Sequence, residues 1–215
     1  MTDRNGQLLT ISLGDDPDAW AGAGFHVEDG ALGLGATTLR LGGSGAGFEG
    51  WALDGVDHPI DGLPSVDPVR AASPTDHPNG ITSIDHVVVR TGDCDRTIAA
   101  FTGAGLEVRG GRSTTSYGAP MRQTFFWAGD VILELVGPDA GEPTTDEATS
   151  IFGLALVAVD LDATAAHLGP LLGTPKPAVQ PGRRIAGLRH RDAGISLPIA
   201  VMSPHVRGGA QATDG

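Results

Sequence analysis

Two stretches of this 215-residue sequence decide the fold: Asp85-His-Val-Val-Val-Arg-Thr-Gly-Asp-Cys-Asp95 and Phe152-Gly-Leu-Ala-Leu-Val-Ala-Val-Asp-Leu-Asp162. Each begins with an apolar run of strand length and ends in Asp-x-Asp, whose first aspartate is a good N-cap for a helix. The two cap residues are Asp93 and Asp160. Each stretch leads into a candidate helix and later into an apolar strand, so the chain contains a tandem repeat.

Short apolar runs bounded by glycine dominate the rest of the sequence, and helical periodicity is scarce. This pattern predicts a strand-rich α+β protein. We expect strands over residues 8–13, 37–41, 49–53, 84–90, 123–127, 131–136, 152–159 and 195–202. We expect helices over residues 17–23, 94–102 and 161–172.

A third copy of the repeat lies near the N-terminus, where a strand from Leu8 runs into a helix start at Asp16. A fourth opening, Gly50-Trp-Ala-Leu-Asp-Gly-Val-Asp57, parallels the strand that contains Gly153 but enters a Pro-rich stretch, Pro59–Pro78, without a closing strand. We interpret that stretch as a linker. The predicted organisation is a degenerate N-terminal unit (1–70), a Pro-rich linker (71–80), a complete paired-module domain (81–205) and a disordered tail (206–215).

The charge balance limits the classes of partner. The chain has 14 Lys and Arg against 26 Asp and Glu, a formal net charge of -12, so it repels nucleic-acid phosphates and anionic membrane surfaces. Its single cysteine, Cys94, cannot form an internal disulfide, and the sequence shows no signal peptide or membrane-spanning run. We therefore expect a cytoplasmic protein that binds neither nucleic acid nor membranes.

The repeat resembles the vicinal oxygen chelate superfamily, which includes glyoxalase I, extradiol dioxygenases, methylmalonyl-CoA epimerase and the bleomycin resistance proteins. The segments that carry the resemblance are Ile84-Asp-His-Val-Val-Val, Asp93-x-Asp95, Phe101, Gly105-Leu-Glu-Val108 and Phe126-Trp-x-x-x-Val-Ile-Leu-Glu-Leu135. The resemblance implies tandem βαβββ modules that form curved, half-open barrels. It also implies a concave face that holds a divalent metal or an organic ligand, and modules that pair within one chain or across a homodimer.

The resemblance further implies that metal ligands come from the first and last strands of each module. His86 and Glu134 occupy both positions in the first full module. The corresponding residues elsewhere are not ligands: Gly153 or Leu154 with Pro198 or Ile199 in the second module, and Leu9 with Arg40 in the N-terminal unit. Two ligands rarely hold a catalytic divalent ion. The best local candidate for a third is His190, which we place in a middle strand of the last module.

Glu134 has several interpretations that the residues leave open. A carboxylate in the apolar run Val131–Val136 is costly to bury unless it coordinates a metal or is paired, for example with Arg122. It can also be a neutral general acid or base with a raised pKa. His86 is either a functional ligand or an imidazole that is hydrogen-bonded in the interior.

Four further side chains are candidates for substrate binding together with His190: Phe125, Trp127, Tyr117 and Arg122. Strand alternation places Phe125 and Trp127 on one face and Phe126 on the other, so one face packs into the core and the other can line a ligand cavity. Tyr117 belongs to a polar loop that either closes over substrate or is plain surface.

Three functional hypotheses follow. The first is a glyoxalase-like protein that binds or transforms a small organic molecule near His86 and Glu134, by metal-assisted lyase, isomerase or dioxygenase chemistry. In that case both residues are catalytic and both are metal ligands. The second is a metal-free, drug-sequestering protein of the bleomycin-resistance kind, whose acidic balance suits a cationic ligand. The third is an interaction role for the degenerate N-terminal unit.

Overall fold

The computed structural model describes residues 6–42, 45, 47–69, 76–115, 119–140, 142 and 144–205. Their strands form two mixed sheets, one from each half of the chain. No helix among these residues is long and apolar enough to cross a membrane. The predicted tail, 206–215, and the candidate residue Tyr117 lie outside the described residues.

The first sheet has four strands in the order β2-β3-β1-β4. Its elements are β1 (Leu8–Leu13), α1 (Pro17–Gly22), β2 (Ala31–Leu34), β3 (Thr37–Arg40) and β4 (Phe48–Leu53). β1 runs parallel to β3 and antiparallel to β4. This sheet lies within the predicted N-terminal unit, and whether that unit folds separately stays a prediction.

The second sheet has eight strands in the order β10-β11-β12-β9-β5-β8-β7-β6. Its first-module elements are β5 (Ile81–Arg90), α2 (Cys94–Gly103), β6 (Val108–Thr114), β7 (Met121–Ala128) and β8 (Val131–Pro138). Its second-module elements are β9 (Ser150–Ala158), α3 (Leu161–Leu168), a 3-10 turn (Gly169–Leu171), β10 (Lys176–Pro177), β11 (Arg184–Gly187) and β12 (Ile199–Met202).

The second sheet consists of two copies of one βαβββ module. In each copy the last strand returns to pair in parallel with the first, β8 with β5 and β12 with β9. β5 and β9 then pair antiparallel and join the two copies into one open sheet. The predicted α+β fold of tandem βαβββ modules is confirmed.

The helix starts are also as predicted. The Asp93 side chain accepts a hydrogen bond from the N–H of Arg96 at the start of α2, and Asp160 caps α3 in the same way. α3 ends at Leu168 rather than at residue 172, because Gly169 has a positive φ of 54° and the proline that follows it has no N–H to continue the helix.

Four strands carry no signal in the sequence: β2, β6, β10 and β11. β6 is an edge strand whose residues are exposed except for the partly buried Thr114, so it shows no apolar alternation. β10 and β11 have only two and four residues. Such strands are held by the backbone of their neighbours, and the sequence shows no pattern for them.

Residues 59–69, the first part of the Pro-rich stretch, pack against the fourth opening of the repeat, so this part is not a plain linker. Ile60 and Leu63 are buried in the core. The N–H of Trp51 in β4 donates to the carbonyl of Pro64 at 3.0 Å, and the N–H of Val66 donates back to Trp51 at 2.9 Å. This short parallel bridge takes the place of a closing strand, which the sequence pattern did not reveal.

Aromatic side chains connect the two sheets through α2. Trp51 of the first sheet lies 6.0 Å from Phe101 of α2, measured between ring centroids, and Phe101 lies 5.2 Å from Phe126 of β7. All three side chains are fully buried. The helix face of the second sheet therefore packs into a core that it shares with the first sheet, which leaves its other face for a site.

Candidate functional site

The structure brings together the two predicted ligand positions of the first module. His86 lies on β5 and Glu134 on the neighbouring strand β8, opposite Val88. Because Val88 follows His86 by two residues, His86 and Glu134 share a face of the sheet, the one opposite to α2. His86 Nε2 lies 3.5 Å from Glu134 Oε2, and the two side chains keep 18% and 14% of their surface exposed.

A β-bulge adds Asp85 to this pair. Ile84 pairs with Leu156 and His86 pairs with Ala155, so Asp85 is an extra residue in β5. Bulges re-aim side chains relative to the regular alternation. Asp85 Oδ2 thereby lies 2.8 Å from His86 Nδ1, although the two residues are adjacent in a strand. Regular alternation, which sequence analysis assumes, would have placed them on opposite faces.

Asp85 is a buried carboxylate that fixes the state of the histidine ring. Burial by itself raises the pKa of this carboxyl, but the hydrogen bond from His86 and the ion pair with Arg183 outweigh burial and lower the pKa to about 2. An ionised carboxylate only accepts hydrogen bonds. In a neutral His86 ring the proton therefore lies on Nδ1, and Nε2 is the unprotonated nitrogen on the side of Glu134.

Strand β7 holds Glu134 from the other side. Gln123 Nε2 donates to Glu134 Oε1 at 2.5 Å, and Arg112 Nε of β6 donates to Gln123 Oε1 at 2.5 Å. A guanidinium can only donate, so it orients the amide with its oxygen toward Arg112 and its NH2 group toward Glu134. The sequence pattern does not indicate Gln123 or the contact made by Arg112, because β6 is an exposed edge strand whose register the pattern does not predict.

The aromatic residues of β7 follow the predicted alternation. Phe126 is fully buried on the helix face. Phe125 pairs with Glu134, and Trp127 pairs with Ile132 on the same face, where Trp127 keeps 44% of its surface exposed. The Arg112 guanidinium carbon lies 6.0 Å from the centroid of the Phe125 ring. An apolar wall with a cationic end thus flanks the His86 and Glu134 pair.

Arg122 does not join the site. It alternates onto the helix face of β7, where its NH2 group lies 2.6 Å from Asp95 Oδ1 of α2. The predicted pairing of Arg122 with Glu134 is therefore wrong. Beside it, burial raises the pKa of the Cys94 thiol despite the nearby guanidinium, so this cysteine is not a ready nucleophile.

His190 lies in the turn that follows β11, not in a strand as predicted. Its Nδ1 is 2.8 Å from the carbonyl oxygen of Ile195 within the same turn. β11 ends at Gly187, and β12 begins at Ile199 and not at residue 195 as predicted. His190 therefore lies between the two strands. Among the described residues, no hydrogen bond or ion pair links His190 to Glu134 or His86.

The register of β12 changes the ligand position assigned to the second module. In the first module, Glu134 pairs with Val88, which is two residues after His86. Ala155 holds that place in the second module, and it pairs with Ala200. The position of Glu134 is therefore taken by Ala200. The predicted position, Pro198 or Ile199, is therefore wrong.

The position of His86 in the second module is Gly153, and this glycine has no room for a side chain. A Cβ atom there would lie 2.6 Å from the carbonyl oxygen of Pro198. Gly50 is the equivalent residue of β4, and its Cβ would lie 3.0 Å from the carbonyl oxygen of Pro64 and 2.6 Å from Val66 Cγ1. The closing segment thus lies against the opening strand in both units, and backbone fills the position that a ligand side chain would need.

The corresponding face of the first sheet is covered by the chain itself. Arg40 pairs with Ser12, so Thr10 rather than the predicted Leu9 holds the position of His86. Thr10 Oγ1 accepts from the N–H of Val69 at 2.9 Å and donates to its carbonyl at 3.1 Å. Arg40 Nε donates to Ser12 Oγ at 3.0 Å. The two ligand positions of this face hold Thr10 and Arg40, and Val69 of the Pro-rich stretch closes it.

The donors at the His86 and Glu134 pair do not fit the metal that the resemblance implies. Across the described ranges, no group of three or more His, Cys, Asp or Glu is placed to hold a metal ion. Gln123 turns its NH2 group toward Glu134, so it does not offer an oxygen as a third ligand. Catalytic zinc sites use about three protein ligands, and magnesium requires an oxygen-rich octahedral shell.

Comparison with known proteins gives a match in structure but not in sequence. No protein-family model matches the chain, and no curated protein matches it by sequence. A mutant of 4-hydroxymandelate synthase from Streptomyces coelicolor aligns with 93% of this chain and 92% of its own, at 13% identity and a TM-score of 0.58. A fusion of a xylose isomerase-like TIM barrel with 4-hydroxyphenylpyruvate dioxygenase aligns with 97% of this chain and 50% of its own, at 10% identity and a TM-score of 0.61.

Methylmalonyl-CoA epimerase from Mycobacterium tuberculosis aligns with 64% of this chain and 94% of its own, at 20% identity and a TM-score of 0.46. 4-Hydroxymandelate synthase is a member of the vicinal oxygen chelate superfamily. The chain therefore has the vicinal oxygen chelate fold, as the sequence resemblance implied.

Proposed function

We propose that the chain binds a small organic molecule on the open face of the second sheet, and that His86 and Glu134 exchange protons with it without a metal ion. The observation that carries this proposal is the separation of 3.5 Å between His86 Nε2 and Glu134 Oε2 on a half-buried face. Two proton acceptors that face one point suit lyase or isomerase chemistry, in which a proton leaves one atom and returns to another.

The hydrogen bonds behind the pair support a role in proton transfer. Asp85 holds the His86 ring through Nδ1, and so the basic Nε2 faces outward from the strand. The same arrangement orients histidine bases in many enzymes, because the carboxylate stabilises the positive charge that the ring acquires with the proton. Gln123 holds Glu134 at the same time, so both acceptors have fixed positions before a ligand arrives.

The residues around the pair favour a flat or aromatic ligand with a polar end. Phe125 and Trp127 offer ring faces on the same side of the sheet. Arg112 lies at the end of Phe125 and can bind a carboxylate or carbonyl oxygen with the donors that Gln123 does not use. A carbonyl compound with a C–H bond next to the carbonyl group meets these requirements.

The second candidate is the metal-free sequestering protein. The observation that favours it is that both side chains already have partners, because Glu134 accepts from Gln123 and His86 bonds to Asp85. A ligand can then bind by stacking on the aromatic wall with no proton transferred. The two functions differ in whether the C–H bonds of the ligand exchange with solvent. Dimer formation and a cytoplasmic location stay predictions in both cases.

Exchange of C–H bonds with solvent deuterium tests the proposal. The protein is incubated in D2O with small ketones, aromatic α-keto acids and thioesters, and proton NMR follows the loss of the C–H signals next to the carbonyl. We expect catalysed exchange for at least one class. His86→Gln should slow it by about 10²-fold or more, since a positioned base contributes 10² to 10⁴.

His190→Gln serves as the control, because this histidine lies in a separate turn, and it should leave the exchange rate unchanged. Ligand binding that stabilises the protein without any exchange would favour the sequestering function instead. Exchange that is equally fast in the wild type, His86→Gln and Glu134→Gln would contradict the proposal.

A further inference from the structure

Arg183 is a buried arginine that belongs neither to the predicted metal ligands nor to the predicted substrate-binding residues. It precedes β11 in the second module, and its side chain keeps only 2% of its surface exposed. A buried guanidinium is costly unless it is paired and hydrogen-bonded. The contacts of Arg183 therefore indicate what holds it in the fold.

The guanidinium of Arg183 is held on several sides. Its Nε donates to the carbonyl oxygen of Ser203, just after β12, at 3.0 Å, and its NH1 group donates to Gln180 Oε1 at 2.5 Å. His205 Nε2 lies 3.2 Å from the same NH1 group. These contacts fix the plane of the guanidinium, so the direction of its remaining NH2 group is set by the second module.

The NH2 group lies against the first module and forms an ion pair there, without the alignment of a hydrogen bond. It lies 2.8 Å from Asp85 Oδ1, and the side chains of both partners are almost fully buried. His205 Nε2 lies 3.4 Å from the same oxygen but is largely exposed. The other oxygen of Asp85 is the one that accepts from His86 Nδ1. One carboxylate therefore connects the guanidinium of the second module with the imidazole of the first.

We infer that Arg183 is a positioning residue for His86. Through Asp85 it keeps the ring proton on Nδ1 and leaves the lone pair of Nε2 toward Glu134. The physical reason is that a carboxylate with one oxygen fixed by a guanidinium has its second oxygen fixed as well, and that oxygen can only accept from the ring. Without the guanidinium, Asp85 Oδ1 keeps only the contact with the largely exposed His205, so the carboxylate is oriented less firmly and either ring nitrogen can carry the proton.

This inference deepens the proposed function and rests on it for its meaning in catalysis, because it names the residue that orients the proposed base. It also gives the second module a part in the site. That module has Gly153 and Ala200 at its own ligand positions. Its contribution is Arg183, which acts on His86 through Asp85.

Nitrogen-15 NMR of the histidine rings tests the inference without any ligand. The seven histidines are labelled with 15N, His86→Gln assigns the His86 signals, and spectra are recorded about two pH units above the ordinary histidine pKa of about 6.5. We expect one tautomer for His86 in the wild-type protein, with the proton on Nδ1. In Arg183→Met we expect a mixture of both tautomers, and Arg183→Lys should restore part of the wild-type signal.

Arg184→Met is the matched control. Arg184 is the next residue and also pairs with an aspartate, Asp162 of α3, but at an exposed position. This variant should keep the wild-type tautomer.

A wild-type His86 that carries its proton on Nε2 would overturn the inference, and this measurement needs no variant to fold. A folded Arg183→Met protein with an unchanged tautomer would overturn it as well. A protein that has the expected tautomer but catalyses no exchange would contradict the proposed function and not this inference.

Discussion

The two sheets of this protein share a framework and differ in what covers one face. In both, an opening strand contains a glycine against which a proline carbonyl packs, Gly50 against Pro64 and Gly153 against Pro198. In the first sheet, Val69 hydrogen-bonds to Thr10 and closes the face that corresponds to the site. In the second sheet, the same face carries a half-buried histidine and glutamate.

The difference shows how a repeat can keep its fold and lose its site. A backbone carbonyl that lies against a strand glycine stabilises the closing segment by a hydrogen bond but removes the space for a ligand side chain. The first module of the second sheet has no such contact at His86, so it keeps polar side chains on that face. The later module contributes to it through the ion pair of Arg183 with Asp85.

Alanine substitutions at two tryptophans, one in each sheet, give the largest expected difference in the free energy of unfolding. Trp51 is fully buried between the sheets, and Trp51→Ala should lower the free energy of unfolding by about 3–5 kcal/mol. Trp127 is 44% exposed on the open face. Trp127→Ala should cost less than about 1.5 kcal/mol and should weaken ligand binding instead. Urea unfolding of the wild-type protein and of the two variants measures both changes in the free energy of unfolding.

Alanine substitutions at Gly153 and Gly50 give the next largest expected loss of stability. Gly153→Ala would bring a methyl group to 2.6 Å from the Pro198 carbonyl oxygen, which is backbone and cannot move cheaply. We expect a loss of about 1–3 kcal/mol, as for other overpacked sites. Gly50→Ala should be destabilising as well, since it has the same kind of contact.

Gly187→Ala is the matched control for both glycines, because a Cβ atom at this strand position meets nothing within 4 Å. It should be neutral or slightly stabilising. Thermal unfolding ranks the three variants. If Gly153→Ala and Gly187→Ala were equally stable, this would contradict the close packing of the Pro198 carbonyl oxygen against Gly153.

The smallest expected effect concerns pH and His77, which packs against the first sheet. Burial lowers the pKa of His77 despite its hydrogen bond to the carbonyl of Gly33. Its Nδ1 accepts from the N–H of His26, so protonation would remove an acceptor. The unfolded chain binds this proton near pH 6.5 and the folded chain only below that. Stability should therefore decrease as the pH falls from about 6.5 through the lower pKa of the folded state.

Urea midpoints at a series of pH values measure this loss. His77→Gln should reduce the pH dependence in that range. His58→Gln, at a largely exposed histidine, should not. In the second sheet, Asp85 has its pKa lowered to about 2, so its contribution persists through this range and is lost only between about pH 4 and pH 2.

The sequence was sufficient for features that depend on local pattern. Alternation predicted which faces Phe125, Phe126 and Trp127 occupy, and the Asp-x-Asp sequences predicted two helix starts. These two predictions need only the period of a strand or helix and a cap residue. His86 and Glu134 could be placed together because the resemblance to the vicinal oxygen chelate superfamily implies that the first and last strands of a module hold its ligands.

The rest depends on pairing between distant segments, which single-sequence patterns do not encode. The bulge at Asp85 exists only in relation to β9, and it turns an apparently opposite side chain toward His86. Arg112 reaches Gln123 through the register of an exposed edge strand. Arg183 reaches Asp85 from a turn of the other module. A prediction of the complete site needs this register, and the register is set by tertiary packing.

The central claim is that the His86 and Glu134 pair acts on a small organic molecule without a metal ion. The most direct test compares the rate of solvent deuterium exchange before and after the protein is treated with a strong chelator, with elemental analysis of both samples. The account predicts the same rate in both and no stoichiometric divalent metal. Loss of exchange in the chelated sample, with recovery when zinc, manganese or magnesium is added, would contradict it.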